Sequence, residues 1–136
     1  MHYLIATHGT LASGFTSALA VLLGSSENIH TIDCYVDASN PRQKIQETID
    51  AIGDAPLLMF SDLVGGSVNQ ILNEYCDRPN TFQISGCNLA IMIEIMAQNK
   101  DDWTKEELKA TVEACKASMQ LIDLESSDDV SSDDFF

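Results

Sequence analysis

The sequence predicts an α/β domain built on a single doubly wound, mainly parallel sheet with helices on both faces. Short apolar runs alternate along the chain with segments of helical periodicity, which is the order expected of strand–helix units. The apolar runs are continuous, as in strands that are buried on both faces. With 136 residues, the chain is long enough for one domain with a sizeable core.

The first unit is a strand at Tyr3–Thr7 (YLIAT) followed by a helix at about Leu11–Leu23. Apolar side chains recur near one face of this helix, at Leu11, Phe15, Leu19 and Leu22. Gly24 is expected to end the helix, because glycine readily adopts the left-handed backbone of a helix C-terminus. The polar turn between strand and helix is His8-Gly9-Thr10.

The second unit begins with a strand at Ile29–Val36 (IHTIDCYV). Pro41 follows at the first turn of a helix, where its lack of an N–H removes no helical hydrogen bond. Ser39 or Asn40 is expected to cap this helix. Its apolar face repeats every three or four residues, at Ile45, Ile49 and Ile52.

Two further units complete the predicted sheet. Leu57–Phe60 predicts the third strand, and a helix follows at about Val68–Cys76. This helix is expected to bury Val68, Ile71, Leu72 and Tyr75. Thr81–Ser85 predicts the fourth strand. Leu89–Gln98 predicts a helix so apolar that it should be buried on more than one side.

The last predicted elements lie in the C-terminal third of the chain. Thr104 and Glu107 form a T-x-x-E capping box at the start of another helix. Met119–Leu124 is expected to form a last short strand. The folded domain should therefore cover residues 1–124, and residues 125–136, where acids alternate with serines, should be a flexible acidic tail.

The composition excludes several classes of function. A net charge of −14 with only seven lysines and arginines argues against nucleic-acid binding and against a large phosphorylated cofactor, and it favours a basic protein partner. The four cysteines lack metal-ligand spacing, so we expect neither a metal nor another cofactor. The chain has no apolar run near the roughly 20 residues that span a bilayer and no signal-peptide pattern, so we expect a cytoplasmic protein.

Three turns at one edge of the predicted sheet carry chemically interesting residues. Ligands of open parallel sheets bind at the carboxyl ends of the strands. His8 follows the first strand, Asp62 follows the third, and Gly86-Cys87-Asn88 follows the fourth. Gly65-Gly66-Ser67 comes just after Asp62 and opens a helix. Taken singly, each has an ordinary structural explanation: a turn histidine, a helix-capping aspartate and a glycine-rich strand–helix turn.

Taken together, these residues predict a phosphohistidine site. If the first and third strands are neighbours, Asp62 can accept a hydrogen bond from one imidazole nitrogen of His8 and leave the other as a nucleophile. The backbone N–H groups of Gly65, Gly66 and Ser67, with the Ser67 hydroxyl, are suited to hold phosphoryl oxygens. Phosphoryl transfer needs positioning and charge stabilisation above all. We therefore expect His8 and Asp62 to be catalytic.

Four motifs occur in a characteristic order along the chain. They are Thr7-His8-Gly9, Leu22-Leu23-Gly24, the run Phe60–Asn69 (FSDLVGGSVN) and the run Ser85–Ala90 (SGCNLA). Together they resemble the enzyme IIA component of the mannose family of the phosphoenolpyruvate-dependent sugar phosphotransferase system (PTS). The resemblance extends over about residues 1–124.

The resemblance implies a role and a set of partners. The phosphorylated histidine of the family falls on His8, its aspartate on Asp62 and its serine on Ser67. The donor is the histidine carrier protein HPr, and the acceptor is a histidine of the IIB component. The membrane components IIC and IID then import and phosphorylate the sugar, whose identity is not implied. Family members are homodimers that exchange a C-terminal strand, which corresponds to Met119–Leu124.

Two alternatives remain open at this point. The phosphoryl-carrier subunit of phosphoenolpyruvate-dependent dihydroxyacetone kinase shares the fold and the histidine, but it passes phosphate to a nucleotide on a kinase subunit. Its alanine-rich turn differs from the GGSVN segment at Gly65–Asn69 here. A flavodoxin-like binding or regulatory domain without covalent chemistry is the second alternative, and it would never carry phosphate on His8.

Overall fold

The computed structural model describes residues 1–124, whose four strands form one parallel sheet. The strands are β1 (His2–His8), β2 (Ile29–Cys34), β3 (Leu57–Ser61) and β4 (Thr81–Ser85). They pair in the order β2-β1-β3-β4, and all three pairings are parallel. The chain therefore adds β2 on one side of β1 and β3 on the other, so the topology reverses direction between β1 and β3.

Within residues 1–124, five α-helices cover the two faces of the sheet. They are α1 (Leu11–Leu23), α2 (Pro41–Ile52), α3 (Ser67–Asn73), α4 (Leu89–Met96) and α5 (Lys105–Cys115). Buried side chains of α1, α4 and α5 pack with Tyr3, Ile5, Leu58 and Phe60 in one apolar core. Those of α2 and α3 pack in a second core with Leu4, Ala6, Leu57 and Met59. The predicted doubly wound α/β fold is therefore confirmed.

Local signals in the sequence account for most of the element ends. The Asn40 side chain caps α2 by accepting a hydrogen bond from the Arg42 N–H, so Asn40 and not Ser39 is the cap. Thr104 caps α5 by accepting from the Glu107 N–H at 3.2 Å, as the capping box predicts. Gly24 ends α1 with a φ of 75°, in the left-handed region.

Three predicted elements are longer in the sequence pattern than in the structure. The helix expected at Leu89–Gln98 ends at Met96, since the Gln98 N–H bonds only three residues back, to the Ile95 carbonyl. The second strand was expected to reach Val36 but ends at Cys34, because Tyr35 adopts a φ of +66° and cannot continue an extended strand. The helix expected to reach Cys76 ends at Asn73, since the next N–H groups bond three residues back in single turns and not four.

The C-terminal strand expected at Met119–Leu124 does not form in the single chain. The structure assigns no strand to these residues, and their apolar side chains point into solvent. A strand needs a partner for its backbone groups, and this segment has no neighbouring strand within the chain as described. The tail prediction, at residues 125–136, lies outside the described residues. Among residues 1–124, no helix is long and apolar enough to cross a membrane.

Candidate functional site

His8 and Asp62 lie side by side at the carboxyl edge of the sheet. His8 is the last residue of β1, and Asp62 directly follows Ser61, the last residue of β3. The two strands are neighbours, with Ala6 paired to Ser61. Because α1 and α3 leave this edge toward opposite faces, the site opens at the point where the topology reverses.

Asp62 holds His8 through both its backbone and its ring. The His8 N–H donates to Asp62 Oδ2 at 3.0 Å. The ring nitrogen Nδ1 lies 3.0 Å from Oδ2 and 3.2 Å from Oδ1 of the same carboxylate. Since an ionised carboxylate only accepts hydrogen bonds, Nδ1 must carry the proton. In the neutral ring, the lone pair is then on the other nitrogen, Nε2.

The two side chains differ in their access to solvent. The His8 side chain is 40% exposed, whereas that of Asp62 is 11% exposed. Burial by itself would raise the pKa of Asp62, but hydrogen bonds from the His8 N–H and ring outweigh it and lower the pKa. The carboxylate therefore stays ionised beneath a ring that an incoming molecule can reach.

Gly66 lets the His8 ring approach the start of α3. A Cβ atom at Gly66 would lie 3.6 Å from His8 Cε1, and 3.3 Å from both Cβ and the carbonyl oxygen of Leu63. Cε1 is the ring atom between Nδ1 and Nε2, so the glycine places the nucleophilic edge of the imidazole close to the first turn of this helix. A Cβ at this position would press on the loop at Leu63, while its distance to the ring is that of an ordinary van der Waals contact.

The glycine turn differs in one respect from the sequence prediction. Free N–H groups were expected at this turn, but the Gly65 N–H donates to Asn69 Oδ1 at 2.8 Å and the Gly66 N–H to the Leu63 carbonyl at 3.1 Å. Both donors are used to shape the turn. Ser67 begins α3, and N–H groups in the first turn of an α-helix have no acceptor within the helix. The N–H group of Ser67 is thus the donor of this turn that has no acceptor within its helix.

Tyr35 also belongs to this site, and the sequence reasoning missed it. Its ring lies against that of His8, with 5.4 Å between centroids and 27° between planes. Its hydroxyl is 2.7 Å from Ser67 Oγ. The sequence pattern predicts that Tyr35 is one more residue of an apolar strand. No pattern indicates the positive φ that turns it toward His8.

Two hydrogen bonds anchor the turn that follows His8. The buried Thr7 hydroxyl accepts from the Ala12 N–H at 2.7 Å, which ties β1 to the first turn of α1. The Gly9 N–H donates to the Cys34 carbonyl at 2.8 Å, which ties the turn to β2. This explains why threonine and glycine flank the histidine: the Thr7 hydroxyl accepts a hydrogen bond from the first turn of α1, and Gly9 adopts a φ of 59°.

The third predicted turn, Gly86-Cys87-Asn88, adds no nucleophile. The Cys87 N–H donates to the Ser61 carbonyl at 3.1 Å, and Asn88 caps α4. Burial, with the nearby Asp62 charge, raises the pKa of the Cys87 thiol to about 12. A thiol of this kind stays protonated and is unreactive.

The other two histidines lie at the opposite end of the sheet. His2 Nδ1 is 3.0 Å from His30 Nε2, and no carboxylate contacts either ring among the hydrogen bonds of residues 1–124. Within the same range, no cluster of three or more histidine, cysteine or acidic residues could hold a metal ion.

Comparison with known proteins places this chain in a family. Residues 2–114 match the family model EIIA-man, described as the PTS system fructose IIA component. No curated protein sequence matches the chain. Among solved structures, a similar fold is found in a Klebsiella pneumoniae protein described as a phosphoenolpyruvate-dependent sugar PTS permease. It is 27% identical, with a TM-score of 0.81 over 88% of this chain and 89% of that chain.

Two more distant structures share the fold. The mannose/sorbose-specific IIA subunit of Enterococcus faecalis is 20% identical, with a TM-score of 0.76 over 90% of this chain and 95% of that one. A PTS IIA protein associated with the fucose utilization operon of Streptococcus pneumoniae is also 20% identical, with a TM-score of 0.76 over 88% and 91%. Because the family match covers far more than half of the chain, this protein belongs to the EIIA-man family and is a IIA component of a sugar phosphotransferase system.

Proposed function

We propose that the protein carries phosphoryl groups in sugar uptake, taking them from phospho-HPr onto His8 and passing them to a histidine of a IIB component. One observation supports this most strongly: Asp62 engages Nδ1 of a solvent-accessible His8, and Nε2 is left as the free nucleophile. As a IIA component supplied by HPr, the protein would act in the cytoplasm. The IIC and IID membrane components would receive the phosphate only through IIB.

The transfer balances without any proton leaving the site. The Nε2 lone pair forms a bond to phosphorus while the P–N bond in phospho-HPr breaks, and the HPr histidine keeps that electron pair. The proton on Nδ1 stays in place, so the phosphorylated ring is positive. In the second transfer the IIB histidine attacks phosphorus, and the N–P electron pair returns to Nε2.

Asp62 has two tasks in this scheme. It fixes the tautomer that presents Nε2, and its charge stabilises the positive ring that forms as phosphorus is attacked. Its lowered pKa keeps the carboxylate ionised at neutral pH. The aspartate of a serine protease triad supports its histidine in the same two ways.

Ser67 is the residue of the glycine turn best placed to bind phosphoryl oxygens. Gly66 brings the ring edge close to the start of α3, where Ser67 offers a hydroxyl and a first-turn N–H. Gly65 and Gly66 contribute by shaping the turn, since their own N–H groups are occupied.

The C-terminal segment supports a further proposal, that the protein is a homodimer with exchanged strands. The apolar side chains of Met119–Leu124 are exposed, and β4 is an outer strand whose second edge pairs with no strand among residues 1–124. Such an edge is a template for another strand. Light scattering should give twice the mass of one chain, and a single-chain mass would contradict the proposal.

Phosphorylation in vitro tests the carrier function. The protein is incubated with phosphoenolpyruvate, enzyme I and HPr, and its intact mass is measured. We expect one acid-labile phosphate on the wild type and none on His8→Ala, while His2→Ala and His30→Ala serve as matched controls that keep it. A wild type without phosphate would contradict the proposal and favour a binding domain. Loss of the phosphate to a dihydroxyacetone kinase subunit, and not to a IIB component, would reassign the acceptor.

A further inference from the structure

We infer that Tyr35 is a positioning residue for His8: its ring fixes the tilt of the imidazole, and its hydroxyl joins that ring to Ser67. The inference rests on the proposed function, since it concerns how Nε2 is presented to phosphorus. Three independent features of Tyr35 support it.

The first feature is the contact between the two rings. Asp62 holds His8 by the Nδ1 edge and leaves both faces of the imidazole without support from that carboxylate. Tyr35 lies over one face, at 5.4 Å between centroids and 27° between planes. Aromatic rings attract each other at this separation. The two neighbours thus restrict different motions of the imidazole.

The second feature is the hydrogen bond at the far end of the tyrosine. The Tyr35 hydroxyl is 2.7 Å from Ser67 Oγ. Ser67 follows Gly66, whose Cβ position would be 3.6 Å from His8 Cε1. Tyr35 therefore extends from the end of β2 across the imidazole to the start of α3. The ring, the serine and the nucleophile are held as one unit.

The third feature is the backbone of Tyr35 itself. Its φ is +66°, a region that bulky residues rarely adopt and that glycine or asparagine tolerates better. Burial does not explain the tyrosine, because the residue is 54% exposed. Strain that persists without a packing reason is typical of functional sites. A residue kept there for its ring explains both facts.

This arrangement predicts what happens when His8 is phosphorylated. In the unphosphorylated protein the hydroxyls of Tyr35 and Ser67 are bonded to each other. A phosphoryl group on Nε2 can accept from one of them, and the tyrosine ring shields that face of the N–P bond from water. Tyr35 should therefore speed transfer between proteins and slow hydrolysis of phosphohistidine.

The test compares two substitutions that separate the ring from the hydroxyl. Tyr35→Asn removes the ring but suits the positive φ, and Tyr35→Phe keeps the ring but removes the hydrogen bond. Val36→Asn, at the exposed neighbour, and Tyr75→Phe, at a tyrosine bonded to Gln46, are the matched controls. Transfer from phospho-HPr is followed by rapid quench, hydrolysis of the phosphorylated protein by intact mass, and stability by thermal unfolding.

We expect Tyr35→Asn to lower kcat about 10-fold with little change in KM, because the nucleophile is misplaced while the donor still binds. Its phosphate should hydrolyse several-fold faster, and its Tm should be unchanged or higher because the backbone strain is relieved. Tyr35→Phe, which keeps the ring, should retain most of the wild-type kcat, and both controls should behave as wild type. Wild-type kcat and hydrolysis in Tyr35→Asn would overturn the inference, as would a loss of rate that follows a loss of Tm.

A second measurement keeps this inference separate from the carrier function. If the wild type takes no phosphate from phospho-HPr, the carrier function fails, and the position of the ring is tested in the unphosphorylated protein. The NMR shift of the His8 Cε1–H should then change in Tyr35→Asn and stay near wild type in Tyr35→Phe, since only the former removes the ring current. An unchanged shift in Tyr35→Asn would refute the contact.

Discussion

Strand β1 has a histidine at each end, and the Nδ1 atom of each ring lies 3.0 Å from another side chain. The partner of His8 is the Asp62 carboxylate, whereas the partner of His2 is the imidazole of His30. A carboxylate stabilises a positive ring, but a second imidazole does not. Of the two histidines on this strand, only His8 thus has a partner that supports nucleophilic attack by its ring.

The surroundings of the two ends reinforce this difference. At the His8 end, Gly66 lets a helix start come close, and Tyr35 covers the ring. At the other end, burial and then the neighbouring His2 lower the pKa of His30, which disfavours any positive charge there. Position at a strand end is therefore not what distinguishes the two histidines; the charge of the partner and the helix start beside the ring are.

The largest expected effect comes from giving His8 a neutral partner, as His2 already has. Asp62→Asn leaves a neutral partner for His8, so we expect the fold to persist and phosphoryl transfer to slow by about 10²-fold or more. Rapid-quench transfer from phospho-HPr measures this. Asp33→Asn is the matched control, because that carboxylate at the same edge accepts from the Ser13 N–H and not from histidine. Transfer at the wild-type rate in Asp62→Asn would refute the pairing mechanism.

A smaller effect is expected from separating His8 from the start of α3. The added Cβ of Gly66→Ala must displace the turn at Leu63, 3.3 Å away, whereas it would meet the ring at an ordinary contact distance; we expect transfer to slow about 10-fold because the start of α3 shifts relative to His8. Gly14→Ala is a suitable control, since a Cβ there meets nothing within 4 Å and alanine favours the α1 helix. If both variants transfer phosphate equally well, the close approach of Gly66 has no role in catalysis.

The smallest expected effect concerns His30, at the other end of the sheet, and the pH dependence of the free energy of unfolding. Because the pKa of His30 is lowered in the folded protein, that state binds fewer protons than the unfolded chain, whose histidines titrate near pH ~6.5. The contribution of neutral His30 to the free energy of unfolding is fully present above that pH. It is lost as the pH falls through the lowered pKa of the folded protein.

Replacing His30 removes this pH dependence. Between pH 7 and pH 5, the Tm of wild type should therefore fall by about 2 °C more than that of His30→Gln. Thermal unfolding followed by circular dichroism measures the two falls. Equal falls would show that the His2–His30 contact has no electrostatic effect on folding.

The sequence predicted the sheet and the central pair for the same reason. Continuous apolar runs mark strands buried on both faces, and the carboxyl ends of parallel strands meet at one edge. His8 and Asp62 each follow such a run, so their meeting requires only that β1 and β3 be neighbours. No side-chain detail was needed.

Other features of the site depend on contacts that a sequence pattern does not encode. Tyr35 reaches His8 only because its own φ is positive. The Gly65 N–H is occupied because Asn69 lies one helical turn away with its amide oxygen turned back. The segment Met119–Leu124 has the apolar pattern of a strand, but it pairs with no strand among residues 1–124. Each of these outcomes depends on local geometry that a sequence pattern does not contain.

The central claim is that Asp62 occupies Nδ1 of His8 and leaves Nε2 to carry the phosphate. Long-range proton–nitrogen correlation spectra of the phosphorylated protein, labelled with ¹⁵N in histidine, report on both ring nitrogens. We predict a phosphorylated Nε2 and a protonated Nδ1. Phosphate on Nδ1 of His8 would contradict the account, because the carboxylate would then face the very atom that is attacked.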